Sequence, residues 1–441
     1  MAFGGGTWTT QNKILPGAYI NFISAARTSV NLSDRGIATC PLAFSWGPEG
    51  EMVAISNDDL QTNSLTVLGY PYTAPELAPF RDLFATGLRT LYFYRLNSGG
   101  TKASNAYATA KYPGVRGNAL SIAIQKGEAW VDTDNEVYDV ITYLDGSAVD
   151  TQTGIKAITD LAANDFVTFS ASGSLTETAG TPLASGTDGT AQDAAYQSYL
   201  DKAESYQFNT MICDSGDETI KQLFAAYTRR MRDEVGAKFQ TVLHRYPEAD
   251  YEGVISVVNG LVGDDESTAA VYWLGGAEAS CAVNRSICAT DYVGEYDIDV
   301  DYTQTELEEA IQGGQVVFHR AGDAIQVLSD INTFTSFTTD KNEDFSENQV
   351  MRVLDQIAID TASLFNTRYR DRVQNDNAGR MSLWADIVAH HNELQRLRAI
   401  QDFDSANVTV EQGSLKKAVV VTDYVTPVVA MKQLYMTVIV Q

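Results

Sequence analysis

Hydrophobic and polar residues alternate with a period of two between residues 101 and 189. This period is typical of β-strands with one buried face. The stretches concerned, separated by turns rich in Gly, Asn and Asp, are NALSIAI, VYDVITYL and DFVTFSAS. They end in a Ser-, Thr- and Gly-rich segment that is typical of a linker. We therefore expect an inserted β-sandwich domain at residues 101–189.

Strand patterns alternate with helix patterns on both sides of this block. The strand patterns are TLYFYRL before it and FNTMICD, FQTVLHR, GVISVVN and QVVFHR after it. A helix is predicted over residues 218–236. Such alternation is typical of an α/β fold. We expect residues 31–100 and 190–335 to form one central α/β domain, which the sandwich interrupts.

The pattern changes to a helical period from residue 336 onward. Two segments place apolar residues on one helix face, SENQVMRVLDQIAIDTASLF and MSLWADIVAHHNELQRLRAI. Ser346 and Gln349 have the spacing of a capping box at the start of the first helix. Three strand patterns follow, NVTVEQ, KAVVVTDYV and KQLYMTVIV. We expect an α+β domain at residues 336–441, with a small sheet closed by the last strand.

The last strand pattern is apolar on both faces. Its residues are Leu434, Tyr435, Met436, Thr437, Val438, Ile439 and Val440. An unpaired, flat, apolar strand invites pairing with another chain, and this segment lacks the Pro or Lys that would prevent it. The strand therefore requires neighbours.

The first 30 residues have the character of an arm. A glycine-rich lead is followed by a turn at Pro16-Gly17 and a short strand pattern that includes Ala18, Tyr19, Ile20 and Phe22. The lead lacks the features of a secretory signal, and no stretch of the chain is apolar enough to span a bilayer. We expect a protein that is made inside a cell and does not insert into membranes.

Charge is distributed unevenly along the 441 residues. The net charge is −26, which argues against binding to nucleic acid or to anionic membranes. Residues 350–441 contain ten basic and ten acidic residues, so all of the excess lies in residues 1–349. We expect the neutral part to form a closely packed wall with copies of itself, while the sandwich projects into solvent.

Candidate chemistry is sparse. A calcium-binding loop has acidic residues at positions 1, 3, 5 and 12. This spacing is matched by Asp297, Asp299, Asp301 and Glu308. Position six, which should be Gly, is Tyr302. We favour the alternative of a helix that begins with a capping box formed by Thr303 and Glu306.

No contiguous catalytic or cofactor motif is present. The four His and four Cys residues lack the spacing of HExxH and CxxC sites, and neither a GxSxG nor a Walker sequence occurs. We expect reduced thiols, no cofactor, no metal and no enzymatic activity. A hydrolase with a noncontiguous triad on the α/β domain is the less favoured alternative.

Four segments, in order along the chain, resemble contractile phage tail sheath proteins. They are LPGAYINF, YPGVRGNALSIAI, INTFTSF and PVVAMKQLYMTVIV. The resemblance implies a subtilisin-like central fold, although no residue of that enzyme's catalytic motifs is matched. It also implies that the N-terminal and C-terminal strands of one subunit complete the small sheet of neighbouring subunits.

The resemblance implies a homo-oligomeric helical tube around an inner tail tube, with baseplate and tail terminator proteins as further partners. Shortening of this tube would drive the inner tube through a target cell envelope. The location would be the tail of a virion or bacteriocin-like particle, assembled in the bacterial host cytoplasm. A non-contractile tube or a surface-layer protein is the alternative from the class of rigid structural proteins.

Basic residues near the two helices of the last domain are candidates for contact with an acidic inner tube. They are Arg368, Arg370, Arg372, Arg380, Arg396 and Arg398, against four acidic residues between positions 366 and 398. A solvated helix face is an equally good interpretation of these arginines.

Overall fold

The fold is taken from a computed structural model, which describes residues 32–130 and 136–440. The arm residues Ala18, Tyr19, Ile20 and Phe22 therefore lie outside the described residues. The first described elements are β1 (Ile37–Leu42), β2 (Met52–Ser56), α1 (Asn57–Thr62), α2 (Ser64–Leu68), α3 (Ala78–Phe84) and β3 (Thr90–Arg95).

The next elements are strands, as the alternating pattern predicts. They are β4 (Ala108–Ala110), β5 (Leu120–Lys126), β6 (Tyr138–Leu144), β7 (Ser147–Ile155), β8 (Val167–Phe169) and β9 (Thr178–Pro182). They form a four-stranded sheet, in the order β7-β6-β5-β9, and a two-stranded sheet of β4 and β8. The chain enters and leaves this unit side by side, because antiparallel bridges join Ser98 to Thr190 and Thr101 to Thr187.

Helices and strands alternate again after the sandwich. They are α4 (Asp193–Ala203), β10 (Thr210–Ile212), α5 (Glu218–Arg230), β11 (Gln240–His244), β12 (Val254–Val257), α6 (Ala270–Ser280), α7 (Gln304–Gln312), β13 (Gln315–Val316), β14 (Phe318–Ala321) and β15 (Ala324–Val327). The stretch QVVFHR, expected as one strand, divides between β13 and β14.

The strands before and after the sandwich share one sheet. Its order is β13-β12-β11-β10-β1-β3-β2. All pairings are parallel except that of β2 with β3. Helix α6 is buried along almost its whole length against this sheet, which explains its uniformly apolar sequence. The mixed α/β class expected from the sequence is confirmed.

The structure contains the capping box of Thr303 and Glu306, which was the alternative to a calcium loop. Thr303 caps α7, and its side chain and that of Glu306 make the reciprocal bonds of a capping box. Glu308 lies inside the helix and accepts a hydrogen bond from Gln304 Nε2 at 2.9 Å. Among residues 32–130 and 136–440, no three His, Cys, Asp or Glu side chains are placed to hold a metal ion.

Two long helices dominate the last part of the chain. The elements are α8 (Asn348–Leu364), α9 (Asn377–Arg396), β16 (Ile400–Gln401), β17 (Val408–Gln412), β18 (Val419–Asp423) and β19 (Thr426–Pro427). In the part of the chain that the structure describes, no helix combines the length and apolar character of a membrane span.

The capping box expected at Ser346 and Gln349 is wrong. Helix α8 begins after Glu347 without a side-chain cap. The Ser346 hydroxyl donates instead to the Glu343 carbonyl within the preceding turn, at 2.8 Å. The Gln349 side chain accepts from the Ala430 amide at 2.9 Å, so a contact distant in sequence replaces the local one.

The small sheet is not closed by the last segment of the same chain. Strands β17 and β18 pair only with each other, and β16 pairs with β19. Residues 428–440 lie outside every strand of the described structure. The strand pattern of Leu434 to Val440 therefore has no partner within the described chain.

Candidate assembly surfaces

We call residues 433–440 the C-terminal segment. The residues that precede it, 428–432, still bond to other parts of the described protein. The Val428 amide donates to the Ala399 carbonyl at 3.0 Å, and Lys432 Nζ forms an ion pair with Glu347. Within residues 32–130 and 136–440, no hydrogen bond joins residues 433–440 to the rest of the protein. The side chains of Leu434, Ile439 and Val440 are 85%, 82% and 90% exposed. This segment can pair with a strand of another chain, because its backbone and its apolar side chains have no partner among the described residues.

The first described residues, 32 and 33, pack on helix α8. The Ser33 amide donates to Asp360 Oδ1 at 3.0 Å, and Gln356 Nε2 donates to the Ser33 carbonyl at 3.1 Å. Leu32 packs beside Val353 in a small core. Residues 32 and 33, and residues 430 and 432 near the other end of the described chain, are thus all held at α8.

A chain of buried hydrogen bonds joins α8, α9 and β18. His390 Nε2 lies 2.8 Å from Asp360 Oδ2, and His391 Nε2 lies 2.6 Å from Asp423 Oδ2. The Nδ1 atoms of the two imidazoles lie 3.2 Å apart, so the two rings connect the contacts of Asp360 and Asp423. Burial raises the pKa of Asp360, but hydrogen bonds from His390, Gln356 and Ser33 outweigh it and leave that pKa lowered. His391 is fully buried, as expected for a packed core residue.

Buried charges fix α8 to helix α6 and to the segment that follows β15. Arg352 lies between the carboxylates of Glu278 and Asp330 and donates to both. Burial raises the pKa of Glu278 well above its usual value. Burial also acts to raise the pKa of Asp330, but Arg352 outweighs it and lowers that pKa to about 2. One guanidinium thus faces two buried carboxyl groups whose pKa values are shifted in opposite directions.

A second buried ion pair lies one turn further along α8. Arg232 donates to the two oxygens of Asp355 at 2.7 and 2.8 Å, and the side chains are 3% and 9% exposed. Gln240 Nε2, at the first residue of β11, donates to Asn348 Oδ1 at 2.8 Å. Helix α8 is therefore held firmly across the amino ends of the central strands.

The six candidate arginines do not form one patch. Arg368 pairs with Asp386 at 3.4 Å, and Arg396 pairs with Glu393. Arg370 and Arg372 are exposed beyond the end of α8, whereas Arg396 and Arg398 are exposed at the far end of α9. The two ends of α9 are roughly 30 Å apart, because its 20 residues rise about 1.5 Å each.

Arg370 and Arg380 line a cavity of about 650 Å³ together with two lysines that were not among the candidate residues. These are Lys416 and Lys417, in the turn between β17 and β18. Asp371 is the one acidic residue in the cavity lining. We call Arg370, Arg380, Lys416 and Lys417 the basic cavity. The feature of the sequence that could have indicated this cavity is the pair of adjacent lysines in the turn.

The edge of the central sheet where α/β enzymes bind ligands carries a partly buried carboxylate in this protein. Cys213 and Asp214 follow the carboxyl end of β10, next to β1, where the strand order reverses. The Tyr272 hydroxyl donates to Asp214 Oδ2 at 3.0 Å. Burial raises the pKa of Asp214 to about 6. The described residues place no Ser, His and Asp triad at this edge.

Family models match consecutive parts of almost the whole described chain. Residues 35–96 match the N-terminal region of tail sheath protein domain III, and residues 98–188 match the phage tail sheath β-sandwich domain. Residues 189–333 match the sheath central domain, and residues 340–441 match the sheath C-terminal domain. The chain belongs to the phage tail sheath protein family.

One relative matches this sheath protein over almost its full length, and another matches half of it. Protein XkdK of the phage-like element PBSX in Bacillus subtilis is 30% identical and covers 98% of this chain, which in turn covers 99% of XkdK. The tail sheath protein of Clostridium phage phiCD119 is 21% identical over half of this chain. Because the family is structural, the expectation that the protein is not an enzyme is confirmed.

Solved sheath structures have the same fold. The sheath tail protein of Desulfitobacterium hafniense is 39% identical, with a TM-score of 0.80, and the match covers 93% of this sheath protein and 96% of that chain. The contracted helical sheath of the anti-feeding prophage is 13% identical, with a TM-score of 0.57, over 97% of this sheath protein and 99% of that chain. The second likeness concerns the fold alone.

Proposed function

We propose that the protein is the subunit of a contractile sheath, which polymerises as a helical tube around an inner tail tube. Shortening of the sheath drives the inner tube through a target cell envelope. The observation that carries the proposal is the unpartnered apolar segment of residues 433–440 on a chain of the tail sheath family.

The subunits are linked by strand exchange. A hairpin of two strands is marginally stable alone, and β17 and β18 have open outer edges in the described chain. Residues Leu434 to Val440 of one neighbour, and the arm strand with Ala18, Tyr19, Ile20 and Phe22 of another, add to it. Such a contact is head-to-tail and generates a helix, because it does not close on itself.

The division into units is part of this proposal. An arm at residues 1–30 precedes a central domain of subtilisin-like fold at residues 31–100 and 190–335, a sandwich at 101–189 and a polymerisation domain at 336–441. The ranges of the family matches support this division. The neutral polymerisation domain forms the inner wall, and the sandwich projects outward.

The particle is a virion tail, or a related injection device, that is assembled in the host cytoplasm with baseplate and terminator proteins. Negative-stain microscopy of the expressed protein tests the proposal. Tubes of two lengths, one extended and one shortened, are expected of a sheath. Tubes of a single length would instead support a non-contractile tube or a surface-layer protein.

The inner tube is contacted by arginines of the polymerisation domain. Reversal of two charges at one end of α9, in R370E/R372E or in R396E/R398E, tests which group faces the tube. One of the two variants should lose binding to the inner tube, and wild-type binding should weaken in high salt. Unchanged binding in both variants would contradict the contact.

A further inference from the structure

The basic cavity is unusual in a protein with a net charge of −26. Lys416 and Lys417 are exposed, and no carboxylate of residues 32–130 or 136–440 pairs with either of them or with Arg380. Arg370 lies 3.9 Å from Asp371, in a loose and exposed contact. Four cations thus surround a cavity that contains one acidic residue. The chemistry of this cavity fits an acidic protein segment.

An acidic surface lies at the opposite end of the central sheet. Two loops are joined there by antiparallel bridging between Leu261 and Ile298, and the Val262 amide donates to the Asp297 carbonyl at 2.9 Å. The acidic side chains on these two loops are Asp264, Glu266, Asp297, Asp299 and Asp301, of which Glu266 lies 3.8 Å from Arg245. We call them the acidic ridge. They include three of the residues that the calcium-loop spacing singled out.

The acidic ridge and the basic cavity of one chain are kept apart by the fold. The ridge follows the carboxyl end of β12, since the Asp299 amide donates to the Gly260 carbonyl at 3.0 Å. The cavity lies beyond the end of α8. This helix crosses the amino ends of the strands. Its first residue, Asn348, bonds to Gln240 of β11. Its later residues Ala358 and Ala362 lie beside residues 206–208, which precede β10. The two surfaces therefore face opposite ends of the sheet.

We propose that the basic cavity of one subunit receives the acidic ridge of a neighbouring copy of this chain. The proposal rests on the proposed function, because it requires copies arranged head-to-tail. Complementary charge supports this partner: all of the acidic excess lies in residues 1–349, and a polymer of such chains repels itself unless acidic and basic surfaces meet. The contact adds a charge-dependent stacking surface to the strand exchange.

Charge reversal in the protein alone, without inner tube, tests this contact. K416E/K417E changes two exposed side chains and leaves their backbone bonds intact. We expect the protein concentration needed for tube formation to rise about tenfold or more, because two attractions become repulsions. D297K/D301K should have the same effect. The chain that carries all four substitutions has the net charge of the wild type, and tube formation should return.

The matched control is K102E/K156E, which makes the same change in net charge at exposed residues of the sandwich. It should assemble at the wild-type concentration. If the wild type forms tubes and K416E/K417E assembles equally well, the contact between cavity and ridge is refuted, while the proposed function stands. Impaired assembly of the K102E/K156E control would also refute this contact without touching the proposed function. Failure of the four-fold variant to assemble would show that the cavity binds something other than the ridge. Absence of wild-type tubes would contradict the proposed function itself.

Discussion

Replacement of Asp355 with alanine should strongly destabilise the contact between α8 and the central domain. Arg232 loses both charge-assisted hydrogen bonds, at 2.7 and 2.8 Å, and keeps only its bond to the Phe239 carbonyl. Its guanidinium is 3% exposed, so water cannot replace the lost partner. Breaking one side of a buried ion pair costs about 3–5 kcal/mol, which reduces the folding equilibrium constant at least a hundredfold.

Replacing both Arg232 and Asp355 removes their attraction without leaving an unpaired buried charge. Comparison with D355A therefore separates the two effects. R232M/D355L fills the same space with apolar side chains, and we expect it to cost roughly 0–2 kcal/mol. Urea unfolding, followed by circular dichroism, measures both free energies and yields the coupling between the residues. A D355A variant that loses less than about 1 kcal/mol, or a double variant that is less stable than D355A, would refute the reasoning.

The remaining predictions also concern stability. The pKa of Asp330 falls from 3.8 to about 2 on folding, so its ionised form stabilises the protein above pH 4, and this contribution is lost as the pH falls towards 2. The difference in unfolding free energy between wild type and D330N should therefore shrink by about 1 kcal/mol from pH 5 to pH 3, and a constant difference would contradict the assignment. Leu394 is fully buried between the helices of the last domain, and L394A should cost about 2–5 kcal/mol in urea unfolding. A loss below about 1 kcal/mol would show that this core is loosely packed.

Features that depend on neighbouring residues could be predicted from the sequence. The capping box of Thr303 and Glu306 was recognised because both partners lie within one turn. The apparent box at Ser346 and Gln349 has the same spacing, yet Gln349 bonds to Ala430, 81 residues away. Spacing alone cannot reveal that competition, since it arises only in the folded chain.

The order of strands in the central sheet and its buried charges could not be predicted. The partners Glu278 and Arg352 are separated by 74 residues, and nothing in their local sequence links them. Only the arginines of the basic cavity could be predicted, because they are close in sequence, whereas Lys416 and Lys417 reach the cavity from the turn between β17 and β18. The unpartnered C-terminal segment was predictable, because its own residues are apolar on both faces.

Deletion of residues 433–441 tests most directly whether subunits are linked through this segment. The deletion keeps the contacts of Val428, Ala430 and Lys432 and removes side chains that are almost fully exposed. We therefore expect wild-type circular dichroism and thermal stability, but no tubes in electron micrographs. T437P should behave similarly, because proline removes a backbone donor from the strand. Normal tubes from the deleted chain, or loss of its fold, would contradict linkage through the C-terminal segment.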